Sequence, residues 1–165
     1  MNNYKFIEKI LHSIALSNNF LRSTAFNLEK KLFENSLKGN IKNNNHIFIT
    51  GLPRSGTTII LNYLYYNFEF GSLTYNDMPF TLSPNIWSLF SLLISKKKAL
   101  IERAHKDCIK YNTFSPEAFE EIFWNTFSKK ESLKSFEKYI HLILTKNQKE
   151  RYLSKNNYNY KRLED

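Results

Sequence analysis

A cluster of glycine, hydroxyl and cationic residues at positions 51–58 has the composition of an anion-binding site. Gly51 and Gly56 permit unusual backbone angles and a close approach of the backbone to a ligand. Thr57 and Thr58 open a predicted helix, whose first N–H groups and positive dipole end favour negative charge. The residues predicted to bind a ligand here are Gly51, Pro53, Arg54, Ser55, Gly56, Thr57 and Thr58.

The spacing of the two glycines matches the G-x-x-x-x-G of nucleotide-binding phosphate loops, but the lysine of that motif is absent. Thr57 stands in its place, and the cation lies inside the loop at Arg54. Because the Walker lysine contacts β- and γ-phosphates, its loss argues against ordinary ATP or GTP hydrolysis. An internal cation suits a shorter anion chain. The alternative interpretation is a glycine-containing strand-to-helix turn that binds no ligand.

The elements around this loop must position its side chains. The β-prone run Ile47–Ile49 predicts a buried strand before the loop, and residues 58–67 predict a helix after it. We expect a second short strand at residues 73–75 to pair beside Ile47–Ile49. Because loops at the carboxyl ends of parallel strands share one edge, Asp77 would then lie near Arg54. A further short strand is predicted at residues 152–153.

Apolar periodicity predicts that most of the remaining chain is helical. Residues 4–35 are predicted to form two helices separated at Asn18, and residues 132–146 a further one. Two more helices are predicted to start at Ser-Pro pairs, one at Ser83-Pro84 that extends through residue 94 and one at Ser115-Pro116. Residues 86–94 are predicted to be mainly core, with the lining of a substrate pocket as the alternative. Glu120 and Glu121 are predicted to lie on a helix surface, with acid–base chemistry as the alternative. The sequence therefore predicts an α/β fold with a short parallel sheet and many helices.

Length and composition indicate one globular domain over residues 1–165, with 42% hydrophobic and 16% aromatic residues. The net charge of +9 favours anionic ligands, but the one dense lysine run, residues 96–98, is typical of a solvated surface. We therefore expect no nucleic-acid partner. The single Cys108 excludes an intrachain disulfide, and neither a metal site nor a membrane-spanning segment is predicted. These features predict a cytoplasmic protein.

The loop G-L-P-R-S-G-T-T resembles the 5′-phosphosulfate loop of the sulfotransferase family. Residues 74–80, 83–87, 115–121 and 152–157 are similar, in the same order, to segments of the bacterial-type members. The resemblance covers residues 46–160 and leaves residues 1–40 as N-terminal helices. It implies a P-loop-like fold and transfer of a sulfuryl group from 3′-phosphoadenosine 5′-phosphosulfate (PAPS) to a hydroxyl or amine.

The resemblance also implies a role for individual residues. Residues 51–58 would hold the phosphosulfate, and Arg54 would neutralise charge on the leaving oxygen. Asp77 matches, by position, the carboxylate that serves as the base in tyrosine-protein sulfotransferases. Lys155 resembles the lysine that contacts the transferring sulfuryl group. Many cytosolic members use a histidine after that lysine, and residues 154–157 contain no histidine.

The similarity stops before the family's 3′-phosphate segment, because residues 159–165 do not match its Arg-Asp-Pro context. The expectation is therefore an incomplete, truncated sulfotransferase domain with weakened PAPS binding. A C-terminal half encoded separately would be its expected partner. The alternative is a catalytically inactive fragment, or one half of a split protein, that binds a nucleotide or a partner protein. The sequence does not identify the acceptor.

Overall fold

The computed structural model describes residues 18–33, 35, 45–78, 80–91, 101–102, 110–127 and 129–162. The helices in this part are α1 (Asn19–Leu32), α2 (Thr57–Asn67), α3 (Pro84–Ser91), α4 (Glu120–Thr126) and α5 (Lys129–Asn147). The strands are β1 (Ile47–Ile49), β2 (Phe70–Gly71), β3 (Ile101–Glu102), β4 (Lys110–Tyr111) and β5 (Arg151–Lys155). Short 3-10 helices span Tyr75–Asp77 and Asn159–Arg162. The predicted helix before Asn18, the lysine run 96–98 and Cys108 lie outside the described residues.

Three of the strands form a small parallel sheet in the order β1–β5–β2. Ile47 lies opposite Leu153, and Phe70 lies opposite Arg151. Strands β3 and β4 form a separate antiparallel pair. The predicted α/β class with a short parallel sheet is confirmed. Among the described helices, none has both the length and the apolar character needed to cross a membrane.

The predicted pairing of residues 73–75 with β1 is wrong. The strand in this region is Phe70–Gly71, and β5 lies between it and β1. Tyr152 and Leu153 of β5 are both almost completely buried, as expected of a central strand that is covered on two faces. Thr74 instead forms an isolated antiparallel bridge with Pro116.

Helices cover the two faces of the sheet. Successive residues of a strand point to opposite faces, and Tyr152 and Leu153 accordingly belong to two different clusters of buried residues. The larger cluster joins α1, α4 and α5 through aromatic rings, with Phe123 and Tyr139 stacked at a centroid distance of 4.8 Å. The smaller cluster packs Leu61 of α2 against β1, β2 and β5. Strand β5 is thus fixed from both sides.

Two Ser-Pro pairs were predicted to start helices, and the structure confirms one of them. Helix α3 begins at Pro84, as predicted. The second helix, α4, begins at Glu120 rather than at Ser115-Pro116. The reason is pairing with the segment after β2, because Pro116 bridges Thr74 and the Glu117 N–H donates to the Leu73 carbonyl. The expectation of core packing for residues 86–94 is wrong at Leu89 and Phe90, which are exposed.

A buried carboxylate on α1 caps the start of α3. Glu29 Oε1 accepts hydrogen bonds from the Asn85 backbone N–H and side-chain amide, both at 2.7 Å. Its Oε2 accepts from the Ile86 N–H at 3.0 Å. Burial raises the pKa of Glu29 above its usual value of 4.5, and these hydrogen bonds offset part of that effect. A distant helix therefore satisfies the N–H groups that α3 leaves unpaired at its start.

The raised pKa of Glu29 predicts a pH-dependent stability. Between pH 4.5 and the folded-state pKa, the folded chain holds a proton on Glu29 that the unfolded chain has lost. The free energy of unfolding of the wild type should therefore fall with rising pH, relative to that of Glu29→Gln, whose amide does not titrate. Urea titrations of both proteins at pH 4–8 measure this difference. A difference that grows in favour of the wild type as the pH rises would contradict the prediction.

Candidate functional site

The loop at residues 51–58 folds back tightly between β1 and α2. A Cβ atom added at Gly51 would lie 2.8 Å from Ser55 Oγ and 2.9 Å from Thr57 Cγ2. The side chains of the loop therefore pack too closely against Gly51 for a larger residue to fit there without a shift. Gly56 has a φ of 83° and Arg54 a φ of 68°, both in the left-handed region. That region costs glycine little and disfavours arginine. The backbone of the loop is thus held in a specific, partly strained conformation.

Part of the loop is exposed to solvent, and its last residues lead directly into α2. Gly56 is the N-cap residue and provides no side-chain acceptor, while its carbonyl accepts from the Ile59 and Ile60 N–H groups. Thr57 is buried, and Arg54 and Ser55 are exposed. A helix start without a side-chain cap is a place where an anion can bind.

Lys155, at the end of β5, lies against the same helix start. Its pairing opposite Ile49 brings it to the carboxyl edge of the sheet, and the next residue, Asn156, donates its N–H to the Ile49 carbonyl at 2.9 Å. Lys155 Nζ donates to Thr58 Oγ1 at 2.8 Å and lies 3.5 Å from Glu117 Oε1. Two predicted site residues that are 97 positions apart, Lys155 and Thr58, therefore meet in the folded chain.

Glu117 belongs to this site and was not predicted as a member. Its Oε2 accepts from the Tyr75 hydroxyl at 2.7 Å, and its Oε1 accepts from the Ala118 N–H at 2.9 Å. The Tyr75 ring packs on that of Tyr111 at a centroid distance of 4.6 Å. The predicted helix start at Ser115-Pro116 places Glu117 inside a helix instead. Its position in one of the family-like segments was the one sequence signal that pointed to a site role.

Asp77 lies in a different environment from the one expected. It is completely buried, its Oδ1 contacts Lys146 Nζ at 2.5 Å, and its Oδ2 accepts from the N–H and hydroxyl of Thr74 at 2.8 and 3.0 Å. The Asp77 carboxylate also affects Tyr65 on α2. Burial, and then the charges of Tyr66 and Asp77, raise the pKa of Tyr65 to about 12. The expected proximity of Asp77 to Arg54 depended on the strand pairing that is wrong. A role for Asp77 as the base stays a prediction.

Two further carboxylates connect α4 to β5. Glu120 is buried, which overturns its predicted place on a helix surface, and it accepts from Ser154 Oγ at 2.5 Å and Trp124 Nε1 at 2.9 Å. Glu121 accepts from Asn156 Nδ2 at 2.6 Å. These bonds fix the end of β5, and with it the backbone of Lys155.

Two buried amide oxygens close in sequence to the site lack a hydrogen-bond partner within the described ranges. They are Asn62 Oδ1, one helical turn beyond Thr58, and Asn157 Oδ1, two residues beyond Lys155. Such atoms are usually paired, so these two are exceptions among the described residues. The part of the chain that the structure describes contains no group of three or more His, Cys, Asp or Glu residues that could hold a metal ion.

Comparison with known proteins found no relative of this chain. No protein-family model matches it, and neither a curated protein nor a solved structure does. Its function is therefore inferred from its residues and their geometry.

Proposed function

We propose that the chain is a sulfotransferase of P-loop-like fold, which transfers a sulfuryl group from PAPS to a hydroxyl or amine acceptor. One observation carries the proposal: the buried ammonium of Lys155 donates to Thr58 at the start of α2. A cation beside a helix start, directly after a glycine turn, is suited to an anionic group. The resemblance of residues 51–58 to a phosphosulfate loop supports the choice of anion.

The donor-binding group consists of the backbone and hydroxyls of residues 51–58 together with two cations. Arg54 can approach the anion from the exposed side of the loop, and Lys155 from the sheet side. Charge-assisted hydrogen bonds from both would neutralise the bridging oxygen as its bond to sulfur breaks. The net charge of +9 further favours a donor with several negative charges.

The proposal is tested by incubating the purified chain with ³⁵S-labelled PAPS and a panel of hydroxyl and amine acceptors. Labelled product that depends on Arg54 and Lys155 supports it; no transfer by the folded chain contradicts it. The second candidate, a nucleotide-binding protein without transferase activity, is favoured by the full engagement of Asp77 in hydrogen bonds. Binding of adenosine 3′,5′-bisphosphate in calorimetry, with no transfer to any acceptor, would support that candidate.

Arg54 gives a prediction that separates binding from stability. Arg54→Ala and Arg54→Gly both remove the guanidinium, and each should weaken binding of adenosine 3′,5′-bisphosphate about tenfold. Only glycine relieves the left-handed backbone, so Arg54→Gly should be more stable than Arg54→Ala by about 1 kcal/mol. Calorimetry and urea unfolding measure the two effects. Equal stability of the two variants would show that the loop backbone is not strained at this position.

A further inference from the structure

The lysine that the proposed function assigns to the donor is already paired with a carboxylate of the chain. Lys155 and Glu117 have side-chain exposures of only 8% and 11%, and their charged atoms lie 3.5 Å apart. The shorter contact of Lys155 is the one to Thr58, at 2.8 Å. Within this site, therefore, the ammonium lies closer to the loop helix than to its counter-ion.

Glu117 is fixed independently of Lys155. The Tyr75 hydroxyl and the Ala118 N–H hold its two oxygens, and its own N–H donates to the Leu73 carbonyl at 3.2 Å. Lys155, by contrast, ends a flexible four-carbon chain that can turn between two anions. An anion bound in the loop would thus draw the ammonium away, while the carboxylate stays in place.

We propose that Glu117 is the counter-ion that competes with the donor anion for Lys155, and the group that takes the acceptor's proton during transfer. This inference rests on the proposed sulfotransferase function. The acceptor oxygen or nitrogen forms a bond to sulfur with its lone pair, and the bond from sulfur to the bridging oxygen breaks. The bond's electron pair stays on the 5′-phosphate of adenosine 3′,5′-bisphosphate, next to Lys155, and the acceptor's proton passes to Glu117.

Competition predicts an unusual result for Glu117→Gln, namely tighter anion binding after loss of a site residue. The dissociation constants of adenosine 3′,5′-bisphosphate and of inorganic pyrophosphate should both fall about 3- to 10-fold, because a like charge beside the anion is removed. The matched control is Glu69→Gln. Glu69 is 89% exposed, pairs with Lys149 at 3.4 Å, and lies just before β2 at the opposite end of the sheet. It changes the net charge equally and should leave both constants unchanged.

The second readout is transfer from PAPS, which Glu117→Gln should slow by about 10²- to 10⁴-fold if it removes the general base. Tighter binding together with slower transfer supports both parts of the inference. If the variant binds pyrophosphate more tightly but the wild type transfers no sulfuryl group, the counter-ion role of Glu117 is supported. The proton-acceptor role and the proposed function are then both overturned. Unchanged or weaker binding of both probes by Glu117→Gln, relative to Glu69→Gln, overturns the inference.

Discussion

Replacing Asp77 by alanine is expected to lower the free energy of unfolding by about 3–5 kcal/mol, the range for breaking a buried ion pair by removing one partner. Asp77 is completely buried, and its carboxylate satisfies the Lys146 ammonium and both donors of Thr74. Alanine leaves the ammonium without its counter-ion and the Thr74 N–H without its acceptor. Urea unfolding, followed by circular dichroism, measures the loss.

A second substitution shows how much of this loss comes from the uncompensated charge. Lys146→Met removes the ammonium and keeps a long apolar side chain, so the double variant Asp77→Ala/Lys146→Met should recover part of the stability. Additive losses from the two single changes would contradict the importance of the pair. Lys149→Met is the control, because Lys149 pairs at the surface with the exposed Glu69 and should change stability by less than about 1 kcal/mol.

The same pair separates the structural role of Asp77 from its predicted role as the base. Asp77→Asn combined with Lys146→Met removes both charges and keeps a polar side chain beside Thr74. If this double variant folds and still transfers sulfuryl groups, Asp77 is not the base. If it folds and transfer is lost, the role of Asp77 drawn from the resemblance is supported against the proton-acceptor role proposed for Glu117. Measuring transfer on Asp77→Ala alone would confuse loss of fold with loss of chemistry.

Local sequence signals predicted the elements next to the loop and missed the order of the sheet. Ile47–Ile49 carries a β-prone pattern and the segment after residue 57 an apolar one, and the strand and the helix are confirmed. The predicted burial of the strand is wrong at Phe48, which is 44% exposed, and confirmed at Ile49. Strand β2 contains only two residues, Phe70 and Gly71, too few to show a periodicity of two. The insertion of β5 between β1 and β2 depends on packing across more than 80 residues of chain, which no local pattern encodes.

For the candidate site, too, the sequence predicted the residues that are adjacent in the chain better than those that meet only in the folded structure. Residues 51–58 are contiguous, so their spacing revealed them. Lys155 was found through resemblance alone, in a chain with many lysines, and Glu117 was assigned to a helix because Ser115-Pro116 is a typical helix start. Bridging between Thr74 and Pro116 overrode that local preference and left Glu117 beside Lys155. Side chains that meet through tertiary contacts are the ones that local reasoning cannot place.

Lys155→Met is expected to reduce transfer from PAPS by about 10²- to 10³-fold, the usual effect of removing one charge-stabilising donor from an active site. Methionine fills most of the space of the lysine stem, so packing at the end of β5 is largely kept. Stability should still fall by about 1–3 kcal/mol, because Glu117 loses its counter-ion and Thr58 loses a charged donor. Steady-state transfer assays and urea unfolding measure the two losses, with Lys149→Met as the control.

The double variant Lys155→Met/Glu117→Gln distinguishes a catalytic lysine from a structural one. Removing both charges eliminates the uncompensated carboxylate, so part of the stability should return. Transfer should not return with it, because the cation at the start of α2 and the proton acceptor are both absent. If transfer recovered together with stability, Lys155 would act only by holding Glu117 and the segment around it. The anion would then be held by residues 51–58 without help from β5.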